Sequence, residues 1–423
     1  MQTYLRGQLL MTPPSQPKIG ACIVAGHLCL DVIPSLIGSG DFTANFLPGR
    51  LLEAGPAVMA TGGTVSNTGL ALHKLGIATR LMGKVGDDVF GQTILKLIKA
   101  VDERLVERTH VVPGEASSYT IILSPPNTDR IFFHCPGAND TFAAADIDYS
   151  ILHEADLFHF GYPQLMRRMY EAEGRELTQI FQRAKATGIT TSLDSAMPDP
   201  NAPSGRANWS TIFRNTLPYV DIFTPSIEEI LLMLRPELFG QLTAKAKATG
   251  TEVLAHVTVA LLSDVAAELL SMGTNIVLLK ASYLGLYLRT ADLTALDRMG
   301  RARPAGLTTW ANRELWSASF QTRVVGTTGA GDSAAAGFLA ALLRGMSPAE
   351  ALTMANAVGA CNVEASDAVS GVRSWAETLA RIESGWSRRA LKVDDPGWRF
   401  DEVQQAWLGP GNSSDYVNSN HTS

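Results

Sequence analysis

Cysteine is scarce in this chain: Cys22, Cys29, Cys135 and Cys361 are the only four in 423 residues. That excludes a disulfide-stapled scaffold, and no CxxC pair or His/Cys cluster has zinc spacing. Net positive charge is lacking as well. The formal charge is −6, which speaks against the clustered basic footprint that nucleic-acid binding needs. No long apolar run exists: the stretch from Val253 to Leu279 is broken by His256, Asp264 and Glu268, so it reads as buried helix and strand and not as a membrane span. Met1 to Lys18 shows neither the apolar run nor the small-residue cleavage pattern of a signal peptide, and the expected location is the cytoplasm. Two nucleotide-binding motifs are missing too. There is no GxxxxGK[ST], so the chain is not a P-loop enzyme, and no GxGxxG follows the first apolar strand. Internal repeats are absent.

What is present is an ordinary globular composition, 46% apolar and 18% charged, in a length that suits one large domain or two of common size. Short β-rich runs alternate with helical patterns. Ala21–Ala25, Leu157–Phe160, Ile189–Leu193, Asp221–Thr224 and Asn275–Lys280 read as strands, and a helix is expected over about Val65–Leu75. This βαβα rhythm implies an α/β fold with a mostly parallel sheet covered by helices on both faces, with ligands expected at the strand ends. One region breaks the rhythm. Ser118–Ser124 and Asp129–Phe133 flank Pro-Pro-Asn-Thr, a hairpin pattern without helices, and read with part of 41–60 as a small sheet standing off the main domain. Residues 291–318, rich in arginine and carrying two tryptophans, read as a solvated insertion before a strand over Ser319–Val325.

That strand leads into Gly326-Thr-Thr-Gly-Ala-Gly-Asp332, followed by apolar residues at helical spacing. Glycines let several backbone N–H groups turn toward one point, and a helix N-terminus adds its own unpaired N–H groups and positive dipole end. Together these form an anion hole suited to phosphate oxygens. A carboxylate at the mouth of such a hole repels phosphate, but it makes sense as the acceptor of a proton from an attacking hydroxyl. Taken alone, the segment is equally a glycine turn with a helix cap.

The segment does not stand alone. Gly62-Gly-Thr-Val-Ser-Asn67, Leu75-Gly76, Gly83-Lys-Val-Gly-Asp-Asp-Val-Phe-Gly91 and the Gly-Ala-Gly-Asp332 run occur in an order that resembles the ribokinase-like (phosphofructokinase B type) carbohydrate kinases, over roughly Ile19 to Glu383. The resemblance implies a three-layer α/β/α fold with a small β lid and ATP-dependent transfer of a phosphoryl group to a hydroxymethyl oxygen of a sugar. Asp332 becomes the general base, with the N–H groups of Gly329, Ala330 and Gly331 holding the transferring phosphate. The acceptor falls to Asp31, Gly62, Gly63, Asn67 and Asn139. The nucleotide falls to Ser226, Lys280, Gly285, Thr328 and Asn356, and magnesium to Glu229 through water. Ser226 stands where the family has Asn. Gly326 stands where it has Asp, so the resemblance does not imply potassium activation and leaves it open.

The expected layout is a tail over 1–17, a kinase domain over 18–390 with its lid from about 41–60 and 111–142, and a C-terminal extension over 391–423, disordered from about 409. A homodimer through the lid is the expected assembly. Two alternatives stay open. A nucleoside kinase of the same fold needs an aromatic stack near the lid, for which Tyr119 and Phe133 are candidates. A non-catalytic sugar or phosphosugar binder on a kinase scaffold is the other.

Overall fold

The computed structural model of the chain describes residues 19–36, 48–49, 51–125, 131–410 and 412. The expected N-terminal tail, residues 41–47 and 50 of the expected lid, the turn at 126–130 and the chain from 413 onward lie outside the described residues.

Among the described residues the main sheet has ten strands. Their spatial order is Arg399–Asp401, Ala406–Leu408, Glu314–Ser317, Leu286–Thr290, Ile276–Lys280, Ile222–Phe223, Thr190–Asp194, Leu157–Gly161, Ala21–Gly26 and Ala78–Met82. The six strands from Ile276–Lys280 to Ala78–Met82 are parallel, and the remainder are antiparallel. Alternate side chains feed two apolar layers. Ile23, Phe158, Leu193 and Val277 pack with helices Arg175–Ala186, Trp209–Thr216 and Val259–Ser271 on one face. Val24, Leu157, Ile222 and Leu278 pack with helices Thr64–Lys74, Ala330–Leu343 and Pro348–Asn362 on the other. This double burial is why the strands read as apolar runs and the sheet is a three-layer sandwich.

The chain leaves Ala21–Gly26 toward edge strand Ala78–Met82 on one side and returns as Leu157–Gly161 on the other. That reversal makes the carboxyl end of Ala21–Gly26 a topological switch point, the place where an open α/β sheet binds ligands. The register there is tight. Gly26, Gly161 and Asp194 lie side by side, and a Cβ on Gly26 would approach the Gly161 carbonyl to 2.5 Å.

Above that edge stands a second sheet, in the order Ala54–Gly62, Cys29–Leu36, Tyr119–Leu123 and Ile131–Cys135. The hairpin read from the sequence is its outer half. Cys29–Leu36 is an interior lid strand, absent from the strands expected from the sequence, and it carries Asp31.

Three expectations change. Ser319–Val325 is not a strand: the sheet strand is Glu314–Ser317, and the following segment makes only a bridge from Phe320 to Arg388. Val324 and Val325 are about half exposed, so the β-branched run forms an exposed loop margin and not a ladder. The 291–318 segment is not a solvated insertion, because it holds helices Leu293–Asp297 and Leu307–Trp310 together with that sheet strand. Its Arg301 is spent on the backbone: the guanidinium donates to the carbonyls of Leu152, Ala155 and Thr187 at 2.5–2.8 Å. The C-terminal segment from 391 belongs to the main layer. It adds two strands to the sheet and packs Trp398 on Tyr287 with ring centroids 6.0 Å apart.

Candidate active site

Helix Ala330–Leu343 begins after Gly329, whose φ of 71° is left-handed. A Cβ there would come within 2.5 Å of the Ala368 carbonyl, so both the conformation and the space demand glycine. Asp332 lies in the first turn and is 2% exposed. Its carboxylate is held by side chains from distant parts of the chain. Oδ2 accepts from the Asn67 amide at 3.1 Å and the Tyr162 hydroxyl at 2.6 Å, and Oδ1 accepts from the Thr68 hydroxyl at 3.3 Å. The Ala330 N–H, one of the three expected anion-hole donors, closes a turn onto the Thr327 carbonyl at 3.3 Å. At Gly326, a Cβ would approach the Ala365 carbonyl to 2.8 Å. Packing there leaves no room for the carboxylate that the family pattern carries.

The glycine pair has two separate jobs. A Cβ on Gly62 would sit 2.4 Å from both carboxylate oxygens of Asp31, so Gly62 makes the space that Asp31 fills. Gly63 has a φ of 84° and lies against the His27 carbonyl, where a Cβ would approach to 2.5 Å. It is the residue before helix Thr64–Lys74, which delivers Asn67 and Thr68 to Asp332. Asp31 reaches the same cleft from the lid strand. It is buried beside the Cys29 thiol, which donates to its Oδ1 at 3.5 Å, and no ion pair reaches it among the described residues. Burial first, and repulsion from Asp332 with it, push its pKa up to about 6.

Two histidines close the lid side. His27, at the end of strand Ala21–Gly26, and His134, on lid strand Ile131–Cys135, face each other through their Nε2 atoms at 3.4 Å, and His134 Nδ1 pairs with the Thr120 hydroxyl at 3.0 Å. Burial holds both in the neutral form, His134 at a pKa of about 4. Asn139 does not enter the cleft. Its amide bonds the N–H and carbonyl of Leu28 at 3.2 and 3.0 Å, which ties the lid hinge to the main sheet. Tyr119 packs edge-on against Phe90, so its ring is spent in packing.

On the nucleotide side, Ser226 caps helix Ile227–Leu234 and forms a reciprocal box with Glu229. Glu229 Oε2 accepts from the Ser226 N–H at 2.8 Å and the Ser195 hydroxyl at 2.7 Å. Among the described residues no group of three or more His, Cys, Asp or Glu side chains could hold a metal directly. The second oxygen of Glu229 fits a contact to a metal's water shell. Lys280 is buried, with its ammonium 2.6 and 2.8 Å from the two oxygens of Asp194. Burial opposes its charge, and Asp194, Glu229 and Asp332 together more than offset it, so its pKa is raised. A Cβ on Gly331 would lie 3.5 Å from Lys280 Nζ, which places this ammonium beside the first turn of helix Ala330–Leu343. Gly285 turns the chain between two strands, against the Ser317 carbonyl. Asn356 donates to that same carbonyl at 3.1 Å, and Thr328 lies in the loop before Gly329.

Lys280→Met leaves Asp194 buried without its cation. The expected cost is about 3–5 kcal/mol, read as a lower urea midpoint, and Asp194→Asn added to it restores most of the loss. A wild-type midpoint for the single variant would show that the pair is not part of the folded framework.

Tyr162, Thr68, Asp194, His27 and His134 escaped the sequence reading. Only Gly161-Tyr162-Pro163 carried a local signal, a glycine and a proline bracketing an aromatic at a strand end.

A family model described as pfkB family carbohydrate kinase matches residues 37–375. An uncharacterised sugar kinase of Archaeoglobus fulgidus is 26% identical over 296 residues, covering 70% of this chain and 95% of that protein. Fructokinase-2 of Zea mays is 25% identical over 182 residues, covering 42% of this chain and 50% of that protein. The chain thus spans about half the length of the plant fructokinases it matches. Arabidopsis thaliana ribokinase, solved with ribose and ATP, superimposes with a TM-score of 0.62 at 18% identity, over 85% of this chain and 98% of that one. This likeness shows the fold: ribokinase-like, α/β, with a large mostly parallel sheet.

Proposed function

The chain belongs to the pfkB family of carbohydrate kinases, and from that premise we propose that it transfers the γ-phosphoryl group of ATP to a hydroxymethyl oxygen of a sugar or sugar-like acceptor. The observation that carries this reading is the convergence on Asp332. A buried carboxylate in the first turn of a glycine-capped helix is held by three donors and faces a second carboxylate, Asp31, on the lid.

Asp31 and Asn67 bind the acceptor's hydroxyls, and the neutral His134 offers a further donor or acceptor from the lid. Asp332 takes the proton from the reacting hydroxyl as its oxygen attacks phosphorus. The N–H groups of Gly329 and Gly331, with the Lys280 ammonium beside them, stabilise the charge that gathers on the transferring phosphate. Glu229 would orient the water shell of a magnesium ion bound with the ATP phosphates, which would supply charge neutralisation. Closing the lid sheet over Asp31 excludes water, the competing acceptor. Among the described residues no helix is long and apolar enough to cross a membrane. The four cysteines are free, which supports a reducing, cytoplasmic location.

An ADP-release screen over pentoses, hexoses, sugar acids and nucleosides tests the reading. Acceptor-dependent release with at least one sugar is expected; none with any acceptor overturns it. The same reading extends to a homodimer through the lid. Val58, Met59, Phe132 and Phe133 on its two edge strands are about half exposed, a surface suited to strand-edge pairing. Light scattering is expected to give twice the chain mass, and a monomer at all concentrations contradicts it.

A further inference from the structure

Of the three donors to Asp332, Tyr162 has no place in the acceptor or nucleotide contacts just described, and its backbone is unusual. Its φ of 66° and ψ of 43° are left-handed, a region that a bulky residue rarely adopts. The neighbours enforce it. A Cβ on Gly161 would approach the Thr64 hydroxyl to 2.5 Å, the Tyr162 N–H reaches the Asp194 carbonyl at 3.3 Å, and Pro163 follows. Core burial alone does not explain the arrangement, because Tyr162 is only half-buried, its ring 6.0 Å from that of His27. What the turn does is deliver the phenol to Asp332 Oδ2 at 2.6 Å. Strained backbone of this kind gathers at functional sites.

Counting lone pairs gives the strained turn a purpose. A carboxylate offers about two acceptor positions on each oxygen. Asn67 and Tyr162 fill both on Oδ2, whereas Thr68 fills one on Oδ1. We propose that Tyr162 is a positioning residue that saturates Oδ2, fixes the Asp332 rotamer and leaves Oδ1 as the atom that takes the acceptor's proton. The inference rests on the kinase reading above. In the step, the acceptor O–H bond breaks and its proton passes to Oδ1. The acceptor oxygen bonds the γ-phosphorus, and the bond to the bridging oxygen breaks, its electron pair leaving with ADP. Tyr162 keeps its proton throughout, as burial and the adjoining Asp332 both favour the neutral phenol.

The groups that face Asp332 are Asp31 and Cys29 on the lid strand, Asp194 and Tyr162 at the sheet edge, and Lys280 with Glu229 beside it. Burial pushes the pKa of Asp31 up to about 6, so the test reads kcat at saturating acceptor, which reports the bound complex, and not kcat/KM.

The experiment compares pH profiles of kcat for the wild type, Tyr162→Phe, Tyr162→Asn and Thr68→Val. Removing a short hydrogen bond to the charged form is expected to move the acidic limb of kcat upward by about one unit in both Tyr162 variants. Below the limb, kcat then falls by about tenfold. Asn is at ease in the left-handed region and too short to reach Asp332, so its shift is free of backbone strain. Thr68→Val, which loses a longer bond, is expected to shift the limb less. An unmoved limb in folded Tyr162→Phe or Tyr162→Asn overturns the inference, as does a larger shift in Thr68→Val. Asp332→Asn separates the two levels. If it keeps wild-type turnover, the kinase reading of the site fails; if it is inactive while the Tyr162 variants show no shift, only this inference fails.

Discussion

Asp332→Asn is expected to lower acceptor-dependent ADP release by about 10²–10⁴-fold, the share of phosphoryl transfer that a positioned base supplies. The substitution suits the site because it removes basicity and little else. The amide oxygen can take the Oδ2 position, accepting from Asn67 and Tyr162 as the carboxylate does. The amide nitrogen then faces the Thr68 hydroxyl, which can rotate from donor to acceptor. The variant should therefore fold and bind both substrates, with kcat lost and acceptor KM nearly kept. Initial rates and a melting curve check both halves. A near-normal kcat would remove Asp332 from the chemistry.

Asp31→Asn is expected to make the protein more stable and a poorer enzyme. Asp31 is 6% exposed, and burial pushes its pKa to about 6 from a usual 3.8 despite hydrogen bonds from the Cys29 thiol and the Thr120 hydroxyl. A carboxyl whose folded pKa lies above its unfolded value destabilises the fold once it ionises. The penalty is absent below about pH 4, grows through the window from 4 to 6, and is complete above it. By linkage it is about 3 kcal/mol at pH 7. The Asn variant should gain that amount at pH 7 and nothing at pH 4, measured by denaturant unfolding at both. The acceptor's KM should rise about tenfold or more, since an amide accepts fewer hydrogen bonds. In the wild type KM should climb as pH falls through 6. Equal stability at pH 7 would contradict the buried-charge account. The site accepts an electrostatic cost for function, a trade seen where binding groups await a ligand.

The residues that could be read from the sequence are those whose roles depend on neighbours in the chain. Gly329 and Asp332 share one helix turn, and Gly62 and Gly63 lead directly into the helix that carries Asn67, so spacing alone suggests a shaped backbone and a polar group aimed from it. What spacing could not give is how far apart in sequence the pieces meet. Tyr162 reaches Asp332 across 170 residues and Thr68 across 264. A tyrosine at a strand end looks the same whether its hydroxyl meets a carboxylate or water. Polar residues that serve the backbone are hard to tell from those that serve a ligand. Asn139 and Asn356 both spend their amides on main-chain groups, of Leu28 and Ser317.

The fold shows the same division. The parallel strands were legible because both of their faces are buried, which writes an apolar run. The Ser319–Val325 run has the composition of a strand but no free sheet edge, since strand Ala406–Leu408 already pairs with Glu314–Ser317. Pairing with a partner about ninety residues away leaves no local trace in either segment.

The most direct test of the central claim follows the phosphoryl group. The protein is incubated with magnesium, ATP labelled in its γ-phosphoryl group and each acceptor found active in ADP release, and the products are separated and located by NMR. Label is expected in a phosphate ester on a hydroxymethyl oxygen of the sugar, one per ADP formed, with about 10²–10⁴-fold less of it in the Asp332→Asn variant at matched times. Label that remains in ATP, or appears only as free phosphate with every acceptor, would contradict it.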